Sequence, residues 1–315
     1  MKKIEKIDNN IDYFGIDYIN CGFEIISSFQ NLISYLNDFD LPKNSISEKI
    51  KMILNNKSKQ SKPNLNELRV HFNKINYTQN FICFLIQTIN NELMSLKKKN
   101  LTDFIYKNEN YNPKNEKTEY NNFVKDKHIY PQSKIYSIFT IMTRKYFNVE
   151  CSNCQSPLYK NIFDNKIDFL IDLDLTEKSC KFNDLLKKII NKEMTIEEVC
   201  RCKKKNKLKK NTTKFIKLPE ILIFTLKRFN NGKINKVKIE PEPSLNLTDY
   251  IDYQLDDKRA EYNLFAINSM KEINNDLKPI CKIKKDKNWY TIGYENENNF
   301  SNEISFEFFY KKKDK

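Results

Sequence analysis

The sequence predicts an α+β fold, with helices in the first third of the chain and strands through the rest. Two stretches before residue 100 repeat apolar residues at helical spacing, whereas the apolar runs after residue 135 are short and mostly strand-like. Strand and helix do not alternate regularly, which argues against a doubly wound parallel sheet, and no internal repeat is present.

Residues 22–38 place Phe23, Ile26, Phe29, Leu32, Ile33 and Leu36 at helical spacing, and nothing interrupts the pattern before Leu41-Pro42. One helix is predicted there. A second fits residues 81–96, with Phe81, Phe84, Leu85, Ile89, Leu93 and Leu96 on one side. Residues 97–135 are polar and rich in Lys, Asn and Tyr, the composition of an inserted loop. Strand-like runs follow at 135–150, 167–175, 195–199, 219–229, 262–269, 289–294 and 304–310, with a short helix at 182–190.

A chain of 315 residues can form one large domain or two ordinary ones, and 39% hydrophobic with 13% aromatic residues is enough for a substantial core. The abundance of Asn, Ile and Lys reads as a biased genome composition. A formal charge of +14 favours contact with acidic surfaces, nucleic acid included. Much of the excess is diffuse, however, and its densest runs (97–99, 203–210, 311–315) have the character of solvated loops and a basic tail. The start, Met-Lys-Lys-Ile-Glu-Lys-Ile-Asp, lacks the apolar core of a signal peptide, and no uncharged apolar run approaches the ~18 residues of a membrane span. The expectation is a soluble intracellular protein, cytoplasmic or nuclear, with no membrane partner. In that reducing setting the 8 cysteines are thiols or metal ligands rather than disulfides.

Four of them form a constellation. Cys151-x-x-Cys154 and Cys200-x-Cys202 are separated by 45 intervening residues. Two close pairs at the tips of separate hairpins bring four thiolates around one tetrahedral zinc, at Zn–S distances of about 2.3 Å. Arg201, Lys203, Lys204 and Lys205 would offset the charge of such a site. Cys-x-Cys is a tight turn for tetrahedral ligation, so Cys180 is an alternative to Cys202, and a metal-free cysteine loop is the competing account. Four sulfur ligands leave no open position, so the zinc would be structural.

Leu218-Pro-Glu-Ile-Leu-Ile-Phe-Thr-Leu-Lys-Arg-Phe229, downstream of split cysteine pairs, resembles the core of the ubiquitin-specific proteases (peptidase family C19), cysteine hydrolases that cut ubiquitin from proteins. The likeness runs from Gly15 to Tyr310. The family's first box, Gly-Leu-x-Asn-x-Gly-Asn-Thr-Cys-Tyr-x-Asn-Ser-x-Leu-Gln-x-Leu, falls on residues 15–32, where Gly15, Ser27, Gln30 and Leu32 match. The second box, Gln-Asp-x-x-Glu-Phe-Leu, falls on residues 79–85, with Asn80 at its Asp and Cys83 at its Glu. Residues 237–250 resemble Val-x-Phe-Pro-x-x-Leu-x-Leu-x-x-Tyr, and residues 262–267 resemble Tyr-x-Leu-x-Ala-Val. Trp289-Tyr290 matches the Trp-Tyr that precedes the third catalytic residue.

The resemblance implies a single hand-shaped, papain-like domain over residues 1–315. A helical thumb would span about 10–130 with the insertion at 97–135. Zinc-ribbon-like β fingers at 135–215 would carry the cysteine pairs, and an antiparallel β palm would occupy 216–310 before the tail at 311–315. It also implies lost chemistry, because the nucleophile, histidine and third catalytic positions hold Phe23, Asp276 and Gly293 (or Tyr294), with Cys21 at the oxyanion-stabilising asparagine. A thiol protease needs a thiolate, an imidazole and a group orienting it. Phe23 has no lone pair, and a carboxylate of ordinary pKa near ~4 cannot serve as general acid at neutral pH. The predicted protein is a pseudoenzyme that binds ubiquitin, a ubiquitin-like protein or another protein partner. One alternative is an active deubiquitinase using Cys21 with His71 or His128, the chain's 2 histidines. Another is a structural factor of a spliceosomal or other RNA–protein complex.

Overall fold

The computed structural model describes residues 14–38, 40–57, 78–98, 134–150, 157–175, 181–191, 197–199, 202, 205–207, 211–230, 233–252, 260–273, 276–293 and 303–313. The chain divides into two compact units, one of residues 1–88 with 268–303, the other of residues 89–267 with 304–315.

In the first unit, α1 (Phe14–Ser27) and α2 (Gln30–Asn37) replace the single helix expected over 22–38. The break has a local cause. Ser27 and Ser28 donate their hydroxyls to the Glu24 and Ile25 carbonyls at 2.8 and 2.5 Å, and Phe29 leaves helical backbone at ψ 82°. Serine back-bonding of this kind competes with continuation of the helix. Next comes α3 (Ile46–Lys57), an addition to the two helices expected before residue 100, started by Ser45 Oγ accepting from the Glu48 N–H at 3.1 Å. After it, α4 (Thr78–Lys98) extends beyond both ends of the second predicted helix.

The same unit holds the end of β11 (Glu261–Ile273) with β12 (Asp276–Lys285) and β13 (Asn288–Gly293), ordered β11–β12–β13. β12 and β13 are an antiparallel hairpin whose two-residue turn sets Asp286 at φ 56°, a left-handed conformation that Asp tolerates better than most residues. α1 packs on both strands of the hairpin.

In the second unit, residues 134–139 form a helix, α5 (Lys134–Phe139), where a strand was expected. Ile135, Ile138 and Phe139, at i, i+3 and i+4, are all fully buried, so the short run follows the helical period. β1 (Ile141–Glu150) then pairs antiparallel with both β2 (Pro157–Asp168) and β6 (Asn211–Lys217), making a three-stranded sheet. β4 (Glu197–Val199) and β5 (Lys205–Lys207) form a small hairpin. The predicted strand over 167–175 is divided by a bend after Asp168, and β3 (Ile171–Asp174) joins a different sheet.

That sheet runs β11–β14–β7–β3, with β7 (Ile221–Lys227) buried along six of its seven residues and β14 (Glu303–Lys312) antiparallel beside it. β3 and β7 are parallel, so the sheet is not wholly antiparallel as the palm was expected to be. A parallel pair needs a crossover. Here α6 (Phe182–Ile190) lies between the two in sequence and packs on β3. Its apolar face of Phe182, Leu185, Leu186 and Ile190 is buried, while Asp184 in the first turn and Lys187 and Lys188 in the last suit the helix dipole. Phe182 meets Phe224, Phe308 and Tyr310 at ring separations of 5.1, 5.7 and 6.0 Å. Each such ring contributes about 1.5–3 kcal/mol by leaving water.

The remaining short strands are β8 (Phe229–Asn230), β9 (Lys233–Ile234) and β10 (Ser244–Asn246), the last pairing with β11. β14 continues to Lys312, so the strand takes in the first two lysines of the expected tail. Lys313 is anchored as well, its N–H donating to the Glu261 carbonyl and its Nζ pairing with the Glu261 carboxylate at 2.7 Å.

Candidate functional site

Phe23 and Cys21 both sit on α1, the helix that packs on the β12–β13 hairpin. Phe23 is 5% exposed and its ring lies 5.6 Å from that of Phe81 on α4, while Tyr18 approaches Phe81 edge-on at 6.3 Å. Gly22 permits this packing. A Cβ there would lie 2.8 Å from Phe81 Cε1 and closer still to Cδ1, so α1 and α4 meet over bare backbone. Nothing at residue 23 can donate, accept or attack.

Cys21 is 1% exposed, and its Sγ–H points at the Ile292 carbonyl at 4.0 Å, the outer limit for a sulfur donor. Ile292 lies opposite Cys281, itself a fully buried free thiol. This is the setting of a cysteine acting as a small apolar side chain. Gly293 ends β13 opposite Ile280, and Asp276 begins β12 four residues earlier, about 13 Å along the strand. The fold thus brings the helix of Phe23 against the two strands of Asp276 and Gly293, but the register does not make those two residues cross-strand partners. Cys83 on α4 is half-buried. His71, His128 and Tyr294 lie outside the described residues.

Cys151 and Cys154 fall in the connection between β1 and β2, and Cys200 and Cys202 in that between β4 and β5. Each pair therefore belongs to a hairpin connection, and β1 and β5 are neighbours. Cys202 is exposed, whereas Cys151, Cys154, Cys180 and Cys200 lie outside the described residues. No group of three or more potential metal ligands occurs among the described residues.

The Leu-Lys-Arg-Phe sequence carries a structural function that motif reading alone did not supply. Arg228 is 1% exposed. Its Nη1 donates to the carbonyls of Asn235 and Val237 at 2.8 Å each, its Nε donates to the Ser305 carbonyl, and its guanidinium lies 5.7 Å from the Phe306 ring centre. One side chain thus ties the segment that follows β9 to β14. Arg144 on β1 forms a second buried contact, 3.9 Å from Asp252. Burial lowers the Lys217 amine to about 8. Burial, with the Glu242 charge adding to it, raises the Tyr310 phenol well above its ordinary range, and that hydroxyl donates to the Glu242 carbonyl at 2.9 Å. Among the described residues no helix is long and apolar enough to cross a membrane.

A helix carrying first-box residues against a β hairpin in one unit, and a buried strand leading into Leu-Lys-Arg-Phe in the other, are the elements of a ubiquitin-specific-protease-like domain. A sequence model of the ubiquitin carboxyl-terminal hydrolase family matches residues 2–305, and the chain belongs to that family. Its fold is similar to solved structures of the SAGA deubiquitinating module. A yeast SAGA DUBm with a mutant Sgf73 gives a TM-score of 0.65 at 15% identity, covering 96% of this chain and 68% of that one. A SAGA Ubp8/Sgf11/Sus1/Sgf73 module with a serine-to-asparagine Ubp8 gives 0.67 at 15% identity, covering 100% and 71%. The Ubp8/Sgf11/Sus1/Sgf73 module bound to ubiquitin aldehyde gives 0.63 at 17% identity, covering 95% and 67%. At these identities the likeness is one of fold. No curated protein sequence matches the chain.

Proposed function

We propose that this chain is a catalytically inactive member of its family that binds ubiquitin, or another protein of the ubiquitin pathway, as a scaffold. The carrying observation is Phe23. At the family's nucleophile position stands a ring without a lone pair, buried against Phe81 on a helix that Gly22 holds close to α4. Attack on a carbonyl carbon requires a donor atom there, and removing one member of a catalytic unit already costs orders of magnitude in rate. The nearest thiol on the helix, Cys21, is enclosed beneath the Ile292 carbonyl. A protein-binding function draws support from the fold it shares with a Ubp8 module solved with ubiquitin aldehyde. The proposal includes one structural zinc held by Cys151, Cys154, Cys200 and Cys202, supported by their positions in the sequence, one pair between β1 and β2 and the other between β4 and β5, together with the contact of β1 with β5.

The test combines two measurements on the purified protein. Isotopically labelled ubiquitin titrated with it should show saturable amide shifts, and ubiquitin carrying a C-terminal thiol-reactive group should form no adduct. Absence of shifts with folded protein overturns the binding claim. Cleavage of a ubiquitin C-terminal amide that disappears in Cys21→Ala overturns the claim of inactivity and makes Cys21 the nucleophile.

A further inference from the structure

The outer edge of the β12–β13 hairpin has the properties of a pairing strand. β13 ends the sheet and pairs with β12 alone among the described residues. Folded proteins normally blunt such an edge with a lysine, a proline or a bulge. β13 has none of these. Asn288-Trp-Tyr-Thr-Ile-Gly293 is uncharged and proline-free, and six consecutive residues pair with β12 without a register shift. Trp289 and Tyr290 are 43% and 46% exposed, two of the few large apolar side chains the described surface leaves open.

The charge lies one strand in. Residues 276–293 contain five lysines against two aspartates, and the lysines are confined to β12 and the turn. Lys284 stands opposite Trp289 and Lys285 opposite Asn288, and both are exposed, as is Lys287 in the turn. Lys285 Nζ also lies 5.7 Å from the Tyr290 ring centre. Lys282 is already engaged by Glu303 at 2.6 Å. An incoming strand would therefore meet backbone groups that no strand pairs among the described residues, and two aromatic rings, flanked by positive charge.

We propose that β13 accepts an extended acidic segment of a partner protein by strand addition, with main-chain hydrogen bonds supplying affinity and Lys284, Lys285 and Lys287 selecting carboxylates. Six residues define a site about 20 Å long. A second copy of this chain is a poorer occupant, because its own β13 carries no carboxylate for these lysines to meet. Single-stranded nucleic acid is also poorer. Trp289 and Tyr290 are consecutive on a strand and point to opposite faces, whereas base stacking needs rings on one face. Strand addition uses both faces in alternation.

The chain has 1 tryptophan, so the emission of Trp289 reports this edge without labelling. The experiment titrates the intact protein with a synthetic peptide of about eight residues alternating glutamate and valine, long enough to span an ordinary strand. The expected result is a saturable change in tryptophan emission at a dissociation constant below about 1 mM. The same peptide with lysine for glutamate should have no effect, and neither should one whose alternate valines are replaced by proline. Lys284→Glu with Lys285→Glu should weaken binding about tenfold, as loss of two surface ion pairs implies, with an unchanged circular-dichroism spectrum. No change in emission overturns the proposal. An equal response to the proline peptide overturns strand pairing, and displacement of the acidic peptide by oligothymidylate transfers the edge to nucleic acid. A shift in sedimentation without peptide shows the edge occupied by a second copy and overturns it too. None of these outcomes bears on ubiquitin binding.

Discussion

Arg228→Met keeps most of the side chain's length and apolar stem while removing every donor, so it isolates the hydrogen bonds that this residue makes. Three carbonyls depend on it: Asn235 and Val237 through Nη1, and Ser305 through Nε. Hydrogen bonds from a charged group contribute about 1.5–3 kcal/mol each, a gross value of about 4.5–9 kcal/mol for the three. Methionine also relieves the cost of burying a guanidinium, so the net loss is smaller, about 3–5 kcal/mol, in the range of breaking one side of a buried charged contact. Arg228→Lys keeps the charge but not the planar fork, and should lose about 1–3 kcal/mol. Urea unfolding followed by far-ultraviolet circular dichroism measures both. A loss below about 1 kcal/mol for the methionine variant would mean that the three carbonyls find other donors, and the account of Arg228 as the tie between the segment after β9 and β14 would be wrong.

Gly22→Ala should destabilise the protein by about 1–3 kcal/mol, since its Cβ overlaps the fully buried Phe81 ring, and Phe81→Leu in that background should recover part of the loss in thermal melts. Tyr262→Phe strands the Pro219 carbonyl, which accepts from the Tyr262 hydroxyl at 2.6 Å, and should cost about 1–2 kcal/mol by urea unfolding. Lys217 has its folded pKa lowered from 10.5 to about 8 by burial. Below pH 8 both states carry the proton and the cost of burying the charge is present in full. Between pH 8 and 10.5 the folded chain releases the proton first, so this residue's contribution to stability rises with pH. Lys217→Met should therefore be more stable than the natural chain at pH 7, by up to about 3 kcal/mol, with the gap closing by pH 10.5. Elemental analysis should find about one zinc per chain, with Cys151→Ser or Cys154→Ser losing it while far-ultraviolet circular dichroism stays largely unchanged.

Much of the secondary structure was legible because it follows local periodicity. The apolar face of α6 could be read directly, as could the continuous apolar run of β7. Errors arose where a short-range interaction overrode the period or where two periods competed. Two serine hydroxyls end α1 at a point where the apolar spacing continues unbroken. Over residues 134–139 the apolar positions suit a strand or a helix, and burial on one face decides for α5. At the site, the identity of residue 23 and its place on an apolar helix face were plain from the sequence, but not that its partner would be Phe81.

The sequence by itself determined which residues are available for chemistry and which family the chain resembles, since side-chain identity is local. It establishes that residue 23 brings no sulfur, oxygen or nitrogen, and that the lysines near Trp289 lie to one side of it in the chain. Only the tertiary structure decided who meets whom. Arg228 finds an acceptor 77 residues away, Cys21 lies under a carbonyl 271 residues away, and β3 pairs parallel with β7. The reason is physical. Such contacts depend on how the whole chain closes on itself, and loop closure leaves no periodic mark in the residues that meet.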